Sequence, residues 1–171
     1  MRCYEIMTSN PRYCSPSESV TAAARIMKGE DVGAVPVCEG DRLVGIVTDR
    51  DLAVNVLAEN RDPDHTEVQH IMTRAPFACT AEEDIQTAID AMCRYQVRRV
   101  PIVDWRGELV GIISQGDVAV RAGWPEKTSE VLEQISRAAT MQAAWRHISS
   151  WRGFINRKRL FDFVLARASG Q

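Results

Sequence analysis

Two short segments of the sequence each place a hydroxyl group and a carboxylate three residues apart, Thr48 with Asp51 and Ser114 with Asp117. If a helix begins at each hydroxyl, the two side chains share one face of its first turn. The carboxylate could then accept two hydrogen bonds from a ribose diol, as an acidic residue does in dinucleotide folds. The same pair could instead cap the helix and favour its dipole. Both interpretations stay open on these residues alone.

Two adjacent cations, Arg98 and Arg99, precede the step Val100-Pro101. Consecutive residues of an extended strand point to opposite sides, so the two guanidinium groups would serve different surfaces. Because guanidinium groups form charge-assisted hydrogen bonds to phosphate, the pair predicts a phosphate-bearing ligand near this strand. A solvated pair of surface cations is the alternative.

Motifs typical of catalysis are absent from the sequence. It lacks a Gly-x-Gly-x-x-Gly segment, a Gly-Lys-Ser/Thr loop and a Gly-x-Ser-x-Gly elbow. His65 and His70 are five positions apart, which places them on different helical faces, and no cysteine has metal-ligand spacing to either. We therefore expect no catalytic site, no metal site and no required cofactor.

The chain contains an internal repeat, which becomes visible when the sequence is aligned with itself. Ile6-Met7-Thr8 recurs as Ile71-Met72-Thr73, and the offset of 65 residues becomes 66 after one inserted residue. About 18 of 49 aligned positions are identical. The two hydroxyl–carboxylate pairs fall on equivalent positions, which indicates that the chain consists of two copies of one unit.

Each copy shows the same order of predicted elements. Ser15 and Thr80, each followed three residues later by a glutamate, are typical of capping boxes at the start of a helix. The β-rich runs that follow are 33–38 and 43–47 in the first copy and 100–103 and 109–113 in the second. A second helix is predicted at each hydroxyl–carboxylate pair. Each unit is thus about β-α-β-β-α, and because one such unit would be marginal alone, the copies are expected to pair.

Five cysteines, an odd number without a Cys-x-x-Cys pair, are typical of buried reduced thiols. Cys14 ends an extended segment and Cys38 ends a β-rich run, so a redox-sensitive bridge between them is one hypothesis. Cys79 has no cysteine opposite it, because Cys38 aligns with Val103.

These motifs resemble those of tandem CBS domains, the paired arrangement called a Bateman module. The resemblance covers about residues 5–122. It rests on the Ile-Met-Thr…Pro…Cys opening of each copy and on the segments VGAVPVCEGDRLVGIVTDRD and VRRVPIVDWRGELVGIISQGD. It implies an α/β fold in which the repeats pack sheet to sheet about a pseudo-twofold axis and leave two clefts.

The same resemblance implies a ligand, because such clefts often bind AMP, ADP, ATP or S-adenosylmethionine. Contacts to the ribose would come from Thr48, Asp51, Ser114 and Asp117, and contacts to phosphate from Arg98 and Arg99. An adenine slot would be lined by Tyr13, Pro76, Phe77, Ala78, Val100 and Pro101, although Tyr13 and Phe77 suit ordinary core packing equally well. Modules of this kind usually associate in pairs, so a homodimer is expected.

The charge of the chain is distributed unevenly. Residues 1–136 carry 14 Lys+Arg and 22 Asp+Glu, whereas residues 137–171 carry 7 and 1. We expect a first repeat over 1–70, a second over 71–126 and a basic, amphipathic helical tail over 127–171. The tail would pack on the module or across a dimer interface, or contact an unknown protein partner. Without a nucleic-acid motif, nucleic acid and anionic membrane surfaces are weaker alternatives.

Apolar stretches in the sequence fall far short of the ~20 residues that a membrane helix needs, and the N-terminal residues lack a secretion signal. We therefore expect a cytoplasmic protein. The leading hypothesis is a non-catalytic regulatory module that binds adenosine nucleotides and transmits occupancy to a partner. The alternatives are a ligand-independent scaffold that acts through the basic tail and a thiol redox sensor that uses Cys14 and Cys38.

Overall fold

The computed structural model describes residues 1–122 and Glu133, all within the first of two compact units, Met1–Ile135 and Ser136–Gln171. The helices are α1 (Cys3–Ile6), α2 (Val20–Glu30), α3 (Asp49–Leu52), α4 (Ile85–Tyr95) and α5 (Gln115–Arg121). The strands are β1 (Thr8–Ser9), β2 (Ala34–Glu39), β3 (Arg42–Thr48), β4 (Thr73–Arg74), β5 (Cys79–Thr80), β6 (Arg99–Val103) and β7 (Leu109–Ser114). A π-helical segment, Ala53–Leu57, continues α3, and a 3₁₀ turn covers Val68–His70. Apart from Glu133, the predicted tail over 127–171 lies outside the described residues.

Two small sheets are each built around one hairpin. In the first sheet β2 pairs with β3, and β4 adds to the other edge of β3. In the second sheet β6 pairs with β7, β1 lies beside β7, and β5 runs parallel to β6. Where the second repeat has β5, the first repeat has a single parallel bridge from Cys14 to Val37. The α/β fold class with two related repeats is therefore confirmed. None of the helices in this described part is long and apolar enough to cross a bilayer.

Each hydrophobic core contains a segment that opens the other sequence copy. Ile6 is buried in the core of the second repeat, with α4, β6 and β7. Ile71 is buried in the core of the first repeat, with α2, β2 and β3. The strands that follow continue this exchange, because β1 pairs with β7 and β4 pairs with β3. The repeats are therefore interlocked, and the boundary expected between residues 70 and 71 stays a prediction.

The two hairpins also pair with each other at their turns. Leu43 N donates to Gly107 O at 3.1 Å, and Leu109 N donates to Asp41 O at 2.9 Å. These two bonds join equivalent residues of the repeats, so the contact follows the pseudo-twofold symmetry. Because β3 and β7 run from this contact to the hydroxyl–carboxylate pairs, it helps to fix the two pairs relative to one another.

The long helices begin four residues later than the sequence pattern predicted. Ser19 caps α2 and Asp84 caps α4, each accepting a hydrogen bond from a backbone N–H in the first helical turn. The glutamates after Ser15 and Thr80 do accept hydrogen bonds from the backbone N–H of those residues. They close separate turns, however, so the prediction of Ser15 and Thr80 as helix caps was wrong.

Candidate functional site

The first hydroxyl–carboxylate pair closes the turn between β3 and α3. Asp51 Oδ2 accepts from Thr48 N at 2.9 Å and from Thr48 Oγ1 at 2.7 Å. In return, Asp51 N donates to Thr48 Oγ1 at 3.2 Å. Both side chains are half-buried. Within residues 1–122, no cationic group forms an ion pair with Asp51, and its Oδ1 accepts no hydrogen bond.

The second pair has the same capping geometry between β7 and α5. Asp117 Oδ2 accepts from Ser114 N at 2.8 Å and from Ser114 Oγ at 2.5 Å. Here, however, Asp117 Oδ1 lies 3.3 Å from Arg121 Nη1. The same Nη1 donates to the backbone oxygen of Ile6 at 3.0 Å. The two helix starts predicted at Thr48 and Ser114 are therefore confirmed, and the ribose contacts stay a prediction.

Two arginines lie where the second hairpin begins. Arg98 is exposed, and its backbone oxygen accepts from Gln115 N at 2.9 Å. Arg99 is half-buried, and its guanidinium reaches the first repeat. The position that a Cβ on Gly33 would occupy lies 3.6 Å from Arg99 Nη2 and 2.8 Å from Asp49 Oδ2. Arg99 of the second repeat is therefore next to the hydroxyl–carboxylate turn of the first.

The residues predicted to line an adenine slot have varied surroundings. Tyr13 Oη donates to Asp41 Oδ1 at 3.0 Å in the first hairpin turn, and this bond to a carboxylate raises the pKa of the phenol. Phe77 packs against Tyr95 at the end of α4, with ring centroids 5.3 Å apart. The other members are half-buried or buried: Pro76, Ala78, Val100 and Pro101. Their contact with adenine stays a prediction.

The contact between Phe77 and Tyr95 has a counterpart of different chemistry in the first repeat. Arg12 and Glu30 occupy the equivalent positions and approach to 3.9 Å as an ion pair. The end of the long helix is thus joined to the segment after Ile-Met-Thr by charges in one repeat and by rings in the other. Sequence reasoning missed this difference, which a comparison of residue pairs at the repeat offset would have revealed.

All five cysteines are free thiols. Burial raises the pKa of Cys14 to about 12 and that of Cys38 to about 11. Because the thiolate is the reactive form, these high pKa values suppress oxidation chemistry. The hypothesis of a redox sensor through Cys14 and Cys38 is therefore not favoured.

A different pair of thiols is in contact in the second core. Cys3 and Cys79 are buried and hydrogen-bonded to each other, which lowers the pKa of Cys3 and raises that of Cys79. The expectation that Cys79 faces no cysteine was wrong. The self-alignment compared equivalent positions only, and Cys3 reaches this core through the exchanged segment.

Thiol counting tests these assignments. We expect five titratable thiols when the protein is denatured without reductant, because all five cysteines are free. In the native state at pH 8, Cys14 and Cys38 should be alkylated more than about tenfold more slowly than in the denatured chain, since both are buried with raised pKa values. Mass spectrometry after timed alkylation gives both results. A count of three that rises to five on reduction would contradict the free-thiol assignment.

The described residues offer no cluster of three or more His, Cys, Asp or Glu side chains suited to a metal ion. His65 is exposed and lies against Asp62, with Nδ1 2.8 Å from Oδ2. This hydrogen bond raises the pKa of His65 and lowers that of Asp62. The geometry is that of an ordinary surface pair.

Comparison with known proteins agrees with this architecture. The family model for the CBS domain matches residues 3–58 and 68–121. The chain is 36% identical over 132 residues to the CBS domain-containing protein YhcV of Bacillus subtilis, which covers 77% of this chain and 93% of that protein.

Two solved structures have the same fold. Hypoxic Response Protein I with two coordinated zinc ions matches with a TM-score of 0.66 and 34% identity, over 71% of this chain and 98% of that one. CBSX2 in complex with AMP matches with a TM-score of 0.62 and 28% identity, over 74% of this chain and 98% of that one. The chain therefore belongs to the CBS-domain family, with two CBS domains in tandem forming a Bateman module.

Proposed function

We propose that this protein is a regulatory module that binds adenosine nucleotides between its CBS repeats. The observation that carries the proposal is the turn of Thr48 and Asp51. Within residues 1–122 its half-buried carboxylate keeps one oxygen free, and the guanidinium of Arg99 reaches Gly33, next to Asp49 of the same turn. A free carboxylate oxygen suits a ribose diol, and a nearby guanidinium suits a phosphate. The AMP complex of CBSX2, a relative with the same fold, supports this ligand class.

Each group of the nucleotide has a proposed set of contacts. The ribose is assigned to the hydroxyl–carboxylate turns, the phosphate to Arg98 and Arg99, and the adenine to the slot around Pro76, Ala78 and Val100. The proposed function requires neither a cofactor nor a catalytic step. Occupancy would reach a protein partner by favouring one arrangement of the repeats, which requires that the ligand bind that arrangement more tightly.

A homodimer is the proposed assembly. Val54 and Val120 are equivalent positions on the helical segments after the two hairpins, and both are exposed, as is Leu57. Val120 is 82% exposed and Leu57 is 68% exposed, which is unusual for aliphatic side chains on regular elements. The repetition of an exposed valine at Val54 and Val120 favours an apolar surface suited to a second copy of the chain.

Thermal unfolding with added ligands tests the function. We expect AMP, ADP or ATP to raise the Tm of nucleotide-free protein, by roughly 5–11 °C at about 100 times the dissociation constant. S-adenosylmethionine belongs in the same series, and GMP is the matched control for a purine nucleotide without adenine. Sedimentation of the same samples reports the oligomeric state.

The absence of a Tm shift can be interpreted only after one control. Mass spectrometry of the denatured protein must first show that no nucleotide has remained bound during purification. If no adenosine compound then shifts the Tm, the proposed function is wrong, and a ligand-independent scaffold that acts through the basic tail becomes the better explanation.

A further inference from the structure

The two hydroxyl–carboxylate turns differ in what their carboxylates already bind. Asp117 is 14% exposed, and both of its oxygens are engaged, one by Ser114 and one by Arg121. Among residues 1–122, Asp51 bonds only through Oδ2, for the cap on Thr48. A ribose diol needs an acceptor that is free or weakly held. Of these two aspartates, Asp51 is the one that offers such an acceptor without breaking an ion pair to another of the described residues.

The engagement of Asp117 is part of a longer connection. Arg121 Nη1 bonds both to Asp117 and to the backbone oxygen of Ile6, at 3.3 and 3.0 Å. Ile6 ends α1, the exchanged helix that completes the second core. Asp117 therefore helps to hold α1 against α5. The residue equivalent to Arg121 in the first repeat is the neutral Asn55, so Asp51 has no such cation.

The cation available for phosphate is also unequally placed. Arg99 extends from the second repeat to Gly33, where a Cβ would lie 3.6 Å from Arg99 Nη2 and 2.8 Å from Oδ2 of Asp49, a residue of the turn that contains Asp51. The residue equivalent to Arg99 in the first repeat is Ala34, which is buried and carries no charge. No cation at that position can reach back to the turn of Asp117. The carboxylate with an unbonded oxygen, that of Asp51, and the guanidinium that crosses from the other repeat, that of Arg99, therefore lie at the same turn.

We propose that each chain binds one phosphorylated adenosine nucleotide, with its ribose on Asp51 and its phosphate on Arg99, and that Asp117 is a structural clamp. This inference rests on the proposed function and reduces the number of nucleotide-binding clefts per chain from two to one. Asp49 Oδ2 and the guanidinium of Arg99 approach the same side of Gly33, so we expect the Asp49 carboxylate to compete with the phosphate for the guanidinium.

Isothermal titration of the full chain with AMP and with adenosine tests the assignment. We expect one AMP per chain. Asp51→Asn, which keeps an acceptor for the cap, should weaken AMP binding by roughly tenfold or more, whereas Asp117→Asn should change it less than about threefold. Arg99→Ala should weaken AMP by roughly ten- to a hundredfold and leave adenosine nearly unchanged, since only AMP carries the phosphate.

Matched variants sharpen the result. Arg106→Ala removes a cation that lies over the ring of Trp105 in the second hairpin turn, outside the proposed site, and should leave AMP affinity within about threefold of the wild type. Asp49→Asn removes the competing carboxylate and should strengthen AMP binding. Without any ligand, Asp117→Asn and Arg121→Ala should lower the Tm more than Asp51→Asn does, because only they break the clamp to α1.

The outcomes separate this inference from the function on which it rests. Two AMP per chain, or loss of binding in Asp117→Asn with retention in Asp51→Asn, would overturn the single-site assignment and leave nucleotide binding intact. Equal Tm values for the ligand-free Asp51 and Asp117 variants would overturn the clamp. If the wild type binds no adenosine compound, the proposed function itself fails and takes the site assignment with it.

Discussion

Alanine in place of Ile6 is expected to destabilise the protein by about 2–5 kcal/mol, and to do so in the second repeat. Ile6 is 2% exposed and packs in the same core as α4 and β6, although it opens the first sequence copy. Removing its side chain leaves a cavity in that core. Urea unfolding gives the free energy, and hydrogen exchange locates the weakened region, which should include α4 and β6 rather than α2 and β2.

The matched variant is Ile71→Ala, which makes the same substitution at the equivalent position of the other copy. Ile71 is buried with α2, β2 and β3, so its loss should weaken exchange protection in the first repeat. The two variants should therefore give opposite patterns of protection. If Ile6→Ala weakens α2 and β2 instead, the exchange of segments between the repeats is wrong.

The sequence allowed the repeat, the fold class and the two short helix starts to be predicted. These features depend on local patterns: the hairpins on β-rich runs around a turn, and the caps at Thr48 and Ser114 on a hydroxyl followed by an aspartate. The structure has the hydrogen bonds that such a pattern predicts. Local chemistry was sufficient at these two caps because the hydroxyl and the carboxylate are three residues apart in the chain.

What the sequence did not predict depends on contacts between distant segments. Self-alignment groups α1 with the first copy, but burial of Ile6 places it in the second core. The contact between Cys3 and Cys79 follows from that exchange and could not be inferred before it. The prediction of Ser15 and Thr80 as helix caps failed for a different, local reason, since a hydroxyl residue followed three positions later by a glutamate also closes an isolated turn.

At the candidate site, too, the contacts within each turn were predicted from the sequence, whereas the contacts between distant segments were not. Equivalent motifs predicted two equivalent turns, and the capping bonds are indeed alike. The difference lies in Arg121, which reaches the exchanged helix, and in Arg99, which crosses to the other repeat. Both depend on how the repeats interlock, so repeat symmetry in the sequence concealed an asymmetry between the two clefts.

The exchange of segments between the repeats also brings Met72 and Thr73 close to Gly45, in the middle of β3. A Cβ on Gly45 would lie 2.6 Å from Met72 Sδ and 3.1 Å from the backbone oxygen of Thr73. Both contacts are too close, so Gly45→Ala must displace Met72 or the strand β4 that follows it. We expect a loss of stability of about 1–3 kcal/mol, measured by urea unfolding.

Two comparisons make this result specific to the contact. Among the described residues, no atom outside the neighbouring backbone of α2 lies within 4 Å of a Cβ placed on Gly29, so Gly29→Ala should stabilise the protein by about 0.5–1 kcal/mol. Met72→Ala removes the side chain that Gly45→Ala would strike, so the double variant should lose less stability than the sum of the two single changes. Strictly additive losses would show that the strain arises elsewhere. A positive coupling would show that the strand leading to Thr48 is positioned by a methionine from the other sequence copy.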